Sequence, residues 1–396
     1  MKVAYLLTRF PVVSETFILN EIVEALHQGV DIRVFSELPP NETCPHGKLK
    51  HLEGRIEYLP SLESSRPLKT MLLHLRFFLK RPLPYLKTFA YALRNRHLAM
   101  LWAFKVCVHF ARRLDEFRPD VIHTHFASHT ARFALLVSRL LGIPYTLTIH
   151  GWYDLYKAPP SYMRELVMNS LKTVTVCEFN RKHLEREYDI PHGMIEVLMC
   201  GIEVDSFTPG VEDQKEGGLI LSVGRLHFHK AYHHLIDACR ILKEKGVEFK
   251  CWVIGEGELR EKLQDRINKL DLKDRVALLG MKSNEEVAEY LKRAQVFTLS
   301  SEVEVVGIVF MEAMASCLPV VAPSVFGVPE LVEHGKTGLL YDPGDSATLA
   351  RHLAYLLDHP EVRKEMGLKG REKVRREHDL QRQVSRLVGI WAKGAA

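Results

Sequence analysis

Apolar runs of strand length alternate with longer amphipathic segments along the chain. Residues 2–7 are mostly apolar, as in a buried strand, and residues 17–28 carry apolar side chains at helical spacing that stop at Gly29. Residues 31–36 follow as a second predicted strand. A strand, a helix and a strand in this order predict a βαβ unit with a parallel sheet.

The same alternation restarts after a polar stretch, PGVEDQKEGG, at 209–218. This stretch has no hydrophobic periodicity, and it predicts a linker between domains. We therefore expect an α/β protein with two Rossmann-like, doubly wound parallel-sheet domains, at 1–208 and 219–376, that face a central cleft. The last predicted helix, within 377–396, is long enough to pack back on the N-terminal domain.

The segment 66–113 differs from the rest of the chain in its charge. It contains eleven Lys or Arg residues and no Asp or Glu, with aromatic and apolar residues throughout, and it predicts two or three helices broken at Pro82 and Pro84. Three interpretations remain open. The helices have apolar inner faces and solvated basic outer faces, or they contact an anionic membrane surface, or they bind nucleic acid. No nucleic-acid recognition motif is present, so the last ranks lowest.

Composition places the chain among globular proteins. Of its 396 residues, 46% are hydrophobic and 26% are charged, and no stretch approaches the length of an apolar membrane span. The first residues include too few apolar positions for a signal peptide. Seven scattered cysteines without a CxxC pair favour a reducing compartment. We expect a cytoplasmic protein, either free or peripheral on the inner face of the membrane.

Two carboxylates eight positions apart, Glu304 and Glu312, are the first candidates for chemistry. Apolar spacing predicts a helix that begins near Gly307 and ends before Leu318, so Glu304 precedes the helix and Glu312 lies inside it. A helix N-terminus attracts anions such as a diphosphate. The alternative is an ordinary first-turn acid followed by a solvated helix residue.

Cations and glycines follow the first two strands of the second domain. Gly224 and Arg225 end the first strand, Lys230 follows, and Gly255-Glu256 end the next strand. Because ligands of open α/β sheets bind at the carboxyl ends of strands, Arg225 and Lys230 can bracket a diphosphate. The alternative is a surface loop with two solvated cations.

Histidines end two strands of the first domain. His150-Gly151 follows one strand, where a histidine can bind a sugar hydroxyl or a phosphate, although core and capping histidines are commoner. His123 and His125 end another strand, but the sequence offers no third ligand at metal-site spacing. No Asp-x-Asp pair occurs. We therefore expect no metal.

Several segments, in chain order, together resemble family 4 of the retaining glycosyltransferases, which have the GT-B fold. They are SVGRLHFHK at 222–230, the pair Glu304 and Glu312 with EAMA, LPVVA at 318–322, and VPELVEHGKTGLL at 328–340. The opening RFPVVSETFILNEI at 9–22, with HTHF and TIHGWYD, is similar to the colanic-acid and exopolysaccharide branch.

The resemblance implies a nucleotide-sugar donor and a role for each candidate residue. Arg225 and Lys230 would hold the diphosphate, Glu312 the ribose hydroxyls, and Glu304 the donor hexose, while His150 would approach the sugar. The other implied donor-binding positions are Gly151, Gly224, Gly255, Glu256, Val306, Gly307 and Ile308. The departing phosphate would take the acceptor proton, so no protein nucleophile and no metal cofactor are implied.

Four residues depart from the family pattern, which usually has glycine at these positions. They are Ala231, Val305, Cys317 and Phe326. Ala231 and Cys317 should matter little unless their φ angles are positive. Val305 and Phe326 are expected at the sugar pocket, so they bear on donor identity.

These expectations define one primary function and two alternatives. The primary function is metal-independent, retaining transfer of a hexose from a UDP- or GDP-sugar to a glycan or a polyprenyl-diphosphate-linked glycan in cell-surface polysaccharide synthesis. The first alternative is a catalytically silent sugar-nucleotide binding protein that docks a partner or membrane. The second is a GT-B epimerase or phosphorylase.

Overall fold

The structure is a computed structural model that describes residues 1–12, 15–41, 47–59, 67–211 and 215–395. The chain forms two compact units. Unit 1 comprises Met1–Gly201 with Leu380–Ala396, and unit 2 comprises Ile202–Asp379.

Unit 1 is built on a parallel sheet of seven strands, in the order β3-β2-β1-β4-β5-β6-β7. The strands are β1 (Lys2–Arg9), β2 (Asp31–Leu38), β3 (Ile56–Tyr58), β4 (Val121–His125), β5 (Tyr145–Ile149), β6 (Lys172–Thr175) and β7 (Ile195–Val197). The helices are α1 (Thr16–His27), α2 (Pro67–Lys80), α3 (Pro82–Arg94), α4 (Met100–Phe117), α5 (His129–Leu141), α6 (Trp152–Lys157), α7 (Pro160–Asn169) and α8 (Glu178–Glu187). The predicted βαβ opening is β1, α1 and β2, paired in parallel.

Strand β1 shows why both faces of this sheet are covered. Val3, Tyr5 and Leu7 belong to one apolar core, whereas Ala4 and Leu6 belong to the other. Successive side chains of a strand point to opposite faces. A strand that is apolar at both sets of positions therefore needs helices on both sides, as parallel sheets do.

Unit 2 repeats the architecture with six parallel strands, in the order β10-β9-β8-β11-β12-β13. The strands are β8 (Leu219–Val223), β9 (Lys250–Ile254), β10 (Val276–Leu278), β11 (Val296–Thr298), β12 (Val320–Pro323) and β13 (Gly338–Tyr341). The helices are α9 (Tyr232–Glu244), α10 (Arg260–Lys269), α11 (Asn284–Arg293), α12 (Ile308–Ala315), α13 (Val328–Leu331), α14 (Ser346–Asp358) and α15 (Pro360–Glu377).

The last helix, α16 (Leu380–Ala395), returns to unit 1. Its Trp391 is fully buried, packs edge-on against Tyr5 at 5.9 Å, and donates from Nε1 to Thr146 Oγ1 at 3.2 Å. The chain therefore completes the core of its first unit with its last helix.

The boundaries between the units differ from those expected at 209–218 and 377. Ile202 donates its backbone N–H to His378 O at 2.9 Å, and Arg371 donates to Phe207 O at 2.6 Å. The segments 202–207 and 371–378 therefore contact each other within unit 2. The polar stretch that resembled a linker falls inside the range of unit 2. The boundaries therefore lie at Gly201 and Leu380.

Two further features bear on the sequence predictions. None of the helices in the described ranges is long and apolar enough to cross a membrane. No disulfide joins the cysteines that the structure describes.

Candidate functional site

The loop between β11 and α12 places both candidate carboxylates. Glu304 lies in the loop, and Glu312 lies in the second turn of α12. Gly307 has φ +81°, and a Cβ there would lie 2.6 Å from the Phe310 ring and 3.2 Å from Glu304 Cγ. Only glycine fits this turn. Among the described residues no side chain caps α12, and Phe310 N donates to Gly307 O at 3.0 Å, so the N–H groups of Ile308 and Val309 are the ones available to an anion.

Lys230 forms an ion pair with Glu304. Lys230 ends a short 3-10 turn after β8, and its Nζ donates to Glu304 Oε2, which also accepts from Ser301 Oγ at 3.4 Å. The two side chains are 23% and 13% exposed. Ser300 Oγ donates to Lys230 O at 3.1 Å and so ties the turn to the end of β11. The pair is shielded but still reachable by a ligand.

The ends of β8 and β9 lie against each other. A Cβ on Gly255 would lie 2.0 Å from Gly224 O, so glycine is required for this approach of the two backbones. Arg225 follows Gly224, is exposed, and makes no ion pair with any residue that the structure describes. Glu256 is instead neutralised by Arg260, whose guanidinium donates to Glu256 Oε1 at 2.8 Å. Arg225 is therefore the cation in this group that has no carboxylate partner.

Glu312 is the opposite of Glu304 in its surroundings. Its side chain is partly buried, and it forms no hydrogen bond or ion pair within the described residues. Burial raises the pKa of Glu312 from 4.5 to about 7. A carboxylate held in this way favours a ligand that donates hydrogen bonds.

His150, in unit 1, is the end of a chain of hydrogen bonds. His150 Nε2 lies 2.7 Å from His125 Nδ1, and His125 Nε2 lies 3.1 Å from Glu21 Oε1. Tyr5 donates its hydroxyl to the same Glu21 oxygen at 2.8 Å. The His150 ring also packs against Phe17 at 4.6 Å.

This chain of hydrogen bonds has a direction. A carboxylate oxygen accepts, so His125 carries its proton on Nε2 and accepts through Nδ1. His150 then donates from Nε2, and its Nδ1 is left as an acceptor. Burial, with a smaller repulsion from His125, lowers the pKa of His150 well below 6.5. The ring is therefore neutral near pH 7 and can accept a hydrogen bond from a hydroxyl group.

Comparison with known proteins decides the family. Residues 207–373 match the family described as Glycosyl transferases group 1, and residues 14–206 match the family described as Glycosyltransferase Family 4. The amylovoran biosynthesis glycosyltransferase AmsK of Erwinia amylovora is 30% identical over 375 residues, which cover 90% of each chain. The chain belongs to glycosyltransferase family 4. It is also 29% identical over 407 residues to the putative colanic acid biosynthesis glycosyltransferase WcaL of Escherichia coli, with 97% of each chain covered.

Solved structures show the same fold. Anabaena HepE in complex with UDP has a TM-score of 0.78 at 15% identity, covering 99% of this chain and 100% of its own. A glycosyltransferase from Rickettsia africae has a TM-score of 0.77 at 17% identity, covering 99% of this chain and 98% of its own. The predicted GT-B fold, with two Rossmann-like parallel-sheet domains, is therefore confirmed.

Within this family 4 enzyme, three of the four departures from glycine adopt the backbone conformation that favours glycine. Ala231, Cys317 and Phe326 have φ angles of +46°, +57° and +46°. The condition under which Ala231 and Cys317 would matter is therefore met. Val305 is partly buried, and its carbonyl accepts from Gly327 N at 2.9 Å, next to Phe326. Val305 and Phe326 thus lie in two linked loops.

The structure brings some predicted site residues together and leaves others apart. In unit 2, Lys230 contacts Glu304, and Gly224 lies against Gly255. Val306, Gly307 and Ile308 lead into α12, whereas the Glu256 side chain is engaged with Arg260. His150 and Gly151 belong to unit 1, where the His150 backbone N–H donates to Asp154 at 3.3 Å.

Glu21 and Tyr5 were missed from the sequence. Glu21 lies three residues after Ile18 on the inward face of α1, and an acid at such a position requires a polar partner, which was the available signal. Glu21, His123 and His125 form a group of three possible metal ligands, since one ligand atom of each lies within 4.8 Å of the others. Each atom already has a protein hydrogen-bond partner or a close polar neighbour. The expectation of no metal stays a prediction.

Proposed function

We propose that this enzyme transfers a hexose, with retention of configuration, from a UDP- or GDP-sugar to a glycan or a polyprenyl-diphosphate-linked glycan. Its role would be cell-surface polysaccharide synthesis. Relatives support the substrate class: HepE has been solved with UDP and with UDP-glucose, and AmsK and WcaL are named for amylovoran and colanic acid biosynthesis.

The observation that carries the proposal is the distribution of charge around Lys230. Arg225 has no carboxylate partner among the described residues, Lys230 has one, and the start of α12 has no side-chain cap. A nucleoside diphosphate would supply the missing negative charge to all three. Lys230 would then exchange Glu304 for a phosphate, and Glu304 would become available to hydroxyl groups of the donor sugar.

The nucleoside side of the donor would be bound by Glu312. Its carboxylate has no protein hydrogen-bond donor in the described part of the chain, and ribose offers two adjacent hydroxyl donors. The backbones at Gly224 and Gly255 would approach the diphosphate. The N–H groups of Val306, Gly307 and Ile308 would contact the sugar or phosphate.

The transfer breaks the bond between the anomeric carbon and the diphosphate oxygen and forms a bond to an acceptor oxygen on the same face of the sugar. The acceptor proton passes to the departing phosphate. Arg225 and Lys230 would stabilise the charge that develops on this phosphate. The two cations supply what a divalent metal would supply, so we propose no metal requirement.

His150 stays a predicted ligand of the donor sugar. Its proposed role is to accept a hydrogen bond from a sugar hydroxyl through Nδ1, the nitrogen that the contact with His125 leaves without a proton. Glu21 and His125 would act as positioning residues that fix this tautomer.

A donor screen tests the proposal. Purified protein is titrated with UDP-, GDP- and ADP-sugars, and any bound donor is assayed for transfer to lipid-linked glycans with and without EDTA. We expect one donor to bind and to be consumed in both conditions. Failure to bind any nucleotide sugar would overturn the proposal. Tight binding with neither transfer nor slow hydrolysis of the donor would instead support the catalytically silent binding protein.

A further inference from the structure

Exposed apolar side chains are concentrated in one part of unit 1. Of the 21 large apolar side chains that are exposed among the described residues, 11 lie between Leu68 and Trp102. Large contiguous apolar surfaces on a folded protein mark sites of interaction. This group of exposed apolar side chains therefore indicates an interaction surface.

These side chains form one stripe on each of two neighbouring helices. The exposed apolar residues of α2 are Leu68, Met71, Leu72, Leu75, Phe78 and Leu79, and those of α3 are Leu83, Leu86, Phe89 and Leu93. At 100° per residue, each set falls within an arc of roughly 120°. We call these ten residues the hairpin face.

The hairpin face is not needed for the core of unit 1. Helix α2 has a separate buried side with Leu73 and Phe77, and α3 buries Ala92. These buried side chains join the same core as α4, and both helices contact α4. Phe89 also packs its ring 5.5 Å from Phe104 of α4, but the other nine side chains of the hairpin face lie on the sides of α2 and α3 opposite these buried positions and are exposed to water.

Charge identifies the partner of this face. No Asp or Glu occurs from 67 to 114, and the first acid beyond, Asp115, is only 7% exposed and already pairs with Arg76, Lys80 and Arg81. The other exposed cations on α2 and α3 form no ion pair with described residues, and they are Lys69, Lys87 and Arg94. An apolar stripe bordered by unpaired cations fits a surface that is both apolar and anionic.

We propose that the hairpin face docks unit 1 on an anionic lipid bilayer, with the apolar side chains inserted among the acyl chains and the cations at the headgroups. A second copy of the chain fits less well, since a symmetric pair would place two sets of unpaired cations against each other. Neither helix spans a bilayer. The docking goes beyond the transfer reaction, and it would hold the enzyme at the surface where lipid-linked glycans reside.

Co-sedimentation of the full chain with vesicles tests the docking. We expect the protein to bind phosphatidylglycerol-containing vesicles at low salt on the order of tenfold more strongly than phosphatidylcholine vesicles, because the unpaired cations favour anionic lipid. High salt should remove most of this preference. Protein that stays in the supernatant with both vesicles at low salt would overturn the proposal.

Matched variants separate the apolar and the electrostatic parts. The combined change Leu72→Gln, Leu75→Gln and Leu79→Gln should lower binding to both vesicles at least about tenfold. The combined change Lys87→Glu and Arg94→Glu should abolish the preference for anionic vesicles. Met281→Gln with Leu368→Gln, at side chains 66% and 56% exposed in unit 2, should leave binding unchanged.

Two other outcomes would also overturn the proposal. One is an equal loss of binding in the Met281 and Leu368 control. The other is a wild-type protein that self-associates without binding vesicles and becomes monomeric in the leucine variant, which would make the hairpin face an interface between copies. Thermal unfolding verifies that the variants fold, and the vesicle assay needs no donor, so its result is independent of the proposed transfer.

Discussion

Two groups of polar side chains follow strand ends in similar parallel sheets, yet they handle charge in opposite ways. In unit 2, Lys230 and Glu304 are both charged groups in contact, and Arg225 is exposed. In unit 1, His150 is held neutral by burial and has one protein hydrogen-bond acceptor, His125. The first group suits a ligand that brings its own negative charge, and the second suits neutral hydroxyl groups. The same fold can therefore prepare one strand end for phosphate and another for sugar.

The largest expected effect is on the charged group. We expect Lys230→Ala to lower kcat about 10²–10³-fold, because it removes a cation from the developing diphosphate charge and leaves Glu304 unpaired. Lys243→Ala is the matched control, since Lys243 forms an ion pair with Asp271 in the same unit. Steady-state transfer assays measure both. Equal rates for the two variants would remove Lys230 from the proposed site.

The histidine group should give a smaller loss with a different signature. We expect His150→Ala to lower kcat/KM about 30-fold, the loss of one hydrogen bond of about 2 kcal/mol. Burial holds the pKa of His150 well below 6.5, and the negative charge of Glu21 partly offsets this lowering. Glu21→Gln should therefore lower the pKa of His150 further and move the acidic limb of the kcat/KM profile, which reports protonation of His150, to lower pH. A purely structural role for Glu21 would reduce stability and leave the limb in place.

The sequence predicted well those helices and strands whose defining residues are close together along the chain. The βαβ opening and the helix after Gly307 both depend on local spacing, and the structure contains both of them. Helix α15 has a weaker signal in the sequence, because two of its buried positions are glycines rather than large apolar residues. A Cβ on Gly367 would lie 2.0 Å from Cys317 O, and a Cβ on Gly370 would lie 3.5 Å from Met314 of α12.

The candidate sites were predictable only in part for the same reason. Family motifs pointed to Lys230 and Glu304, but their ion pair joins positions far apart in the chain. Glu21 and His125 are likewise distant in sequence and meet through the pairing of β1 with β4 and the packing of α1. Spacing within a motif carries no information about such contacts.

Of the two candidate carboxylates, Glu312 should make the free energy of unfolding depend on pH. Burial raises the pKa of Glu312 from 4.5 to about 7 in the folded protein, so the folded state binds this proton more tightly than the unfolded state does. Stability contributed by the protonated form is present below pH 4.5 and is lost as pH rises through 7. We expect Glu312→Gln to stabilise the free protein by about 2 kcal/mol at pH 8, a value discounted for partial exposure, and to change it little at pH 4.5. Urea unfolding at the two pH values measures this, and equal effects at both would contradict the assigned burial.

The smallest effect concerns the turn that carries Lys230 into α9. Ala231 has φ +46°, which costs a residue with a Cβ about 1 kcal/mol or more, whereas glycine adopts it freely but loses more entropy on folding. We expect Ala231→Gly to stabilise the protein by about 0.5 kcal/mol. Ala238→Gly, in the middle of the same helix, should destabilise it by about 1 kcal/mol. Thermal unfolding that shifts in the same direction for both variants would show that Ala231 carries no strain. Opposite shifts would show that Ala231 is strained in a conformation that suits glycine. The family 4 enzyme would then keep this turn, which positions the Lys230 side chain, without having glycine there.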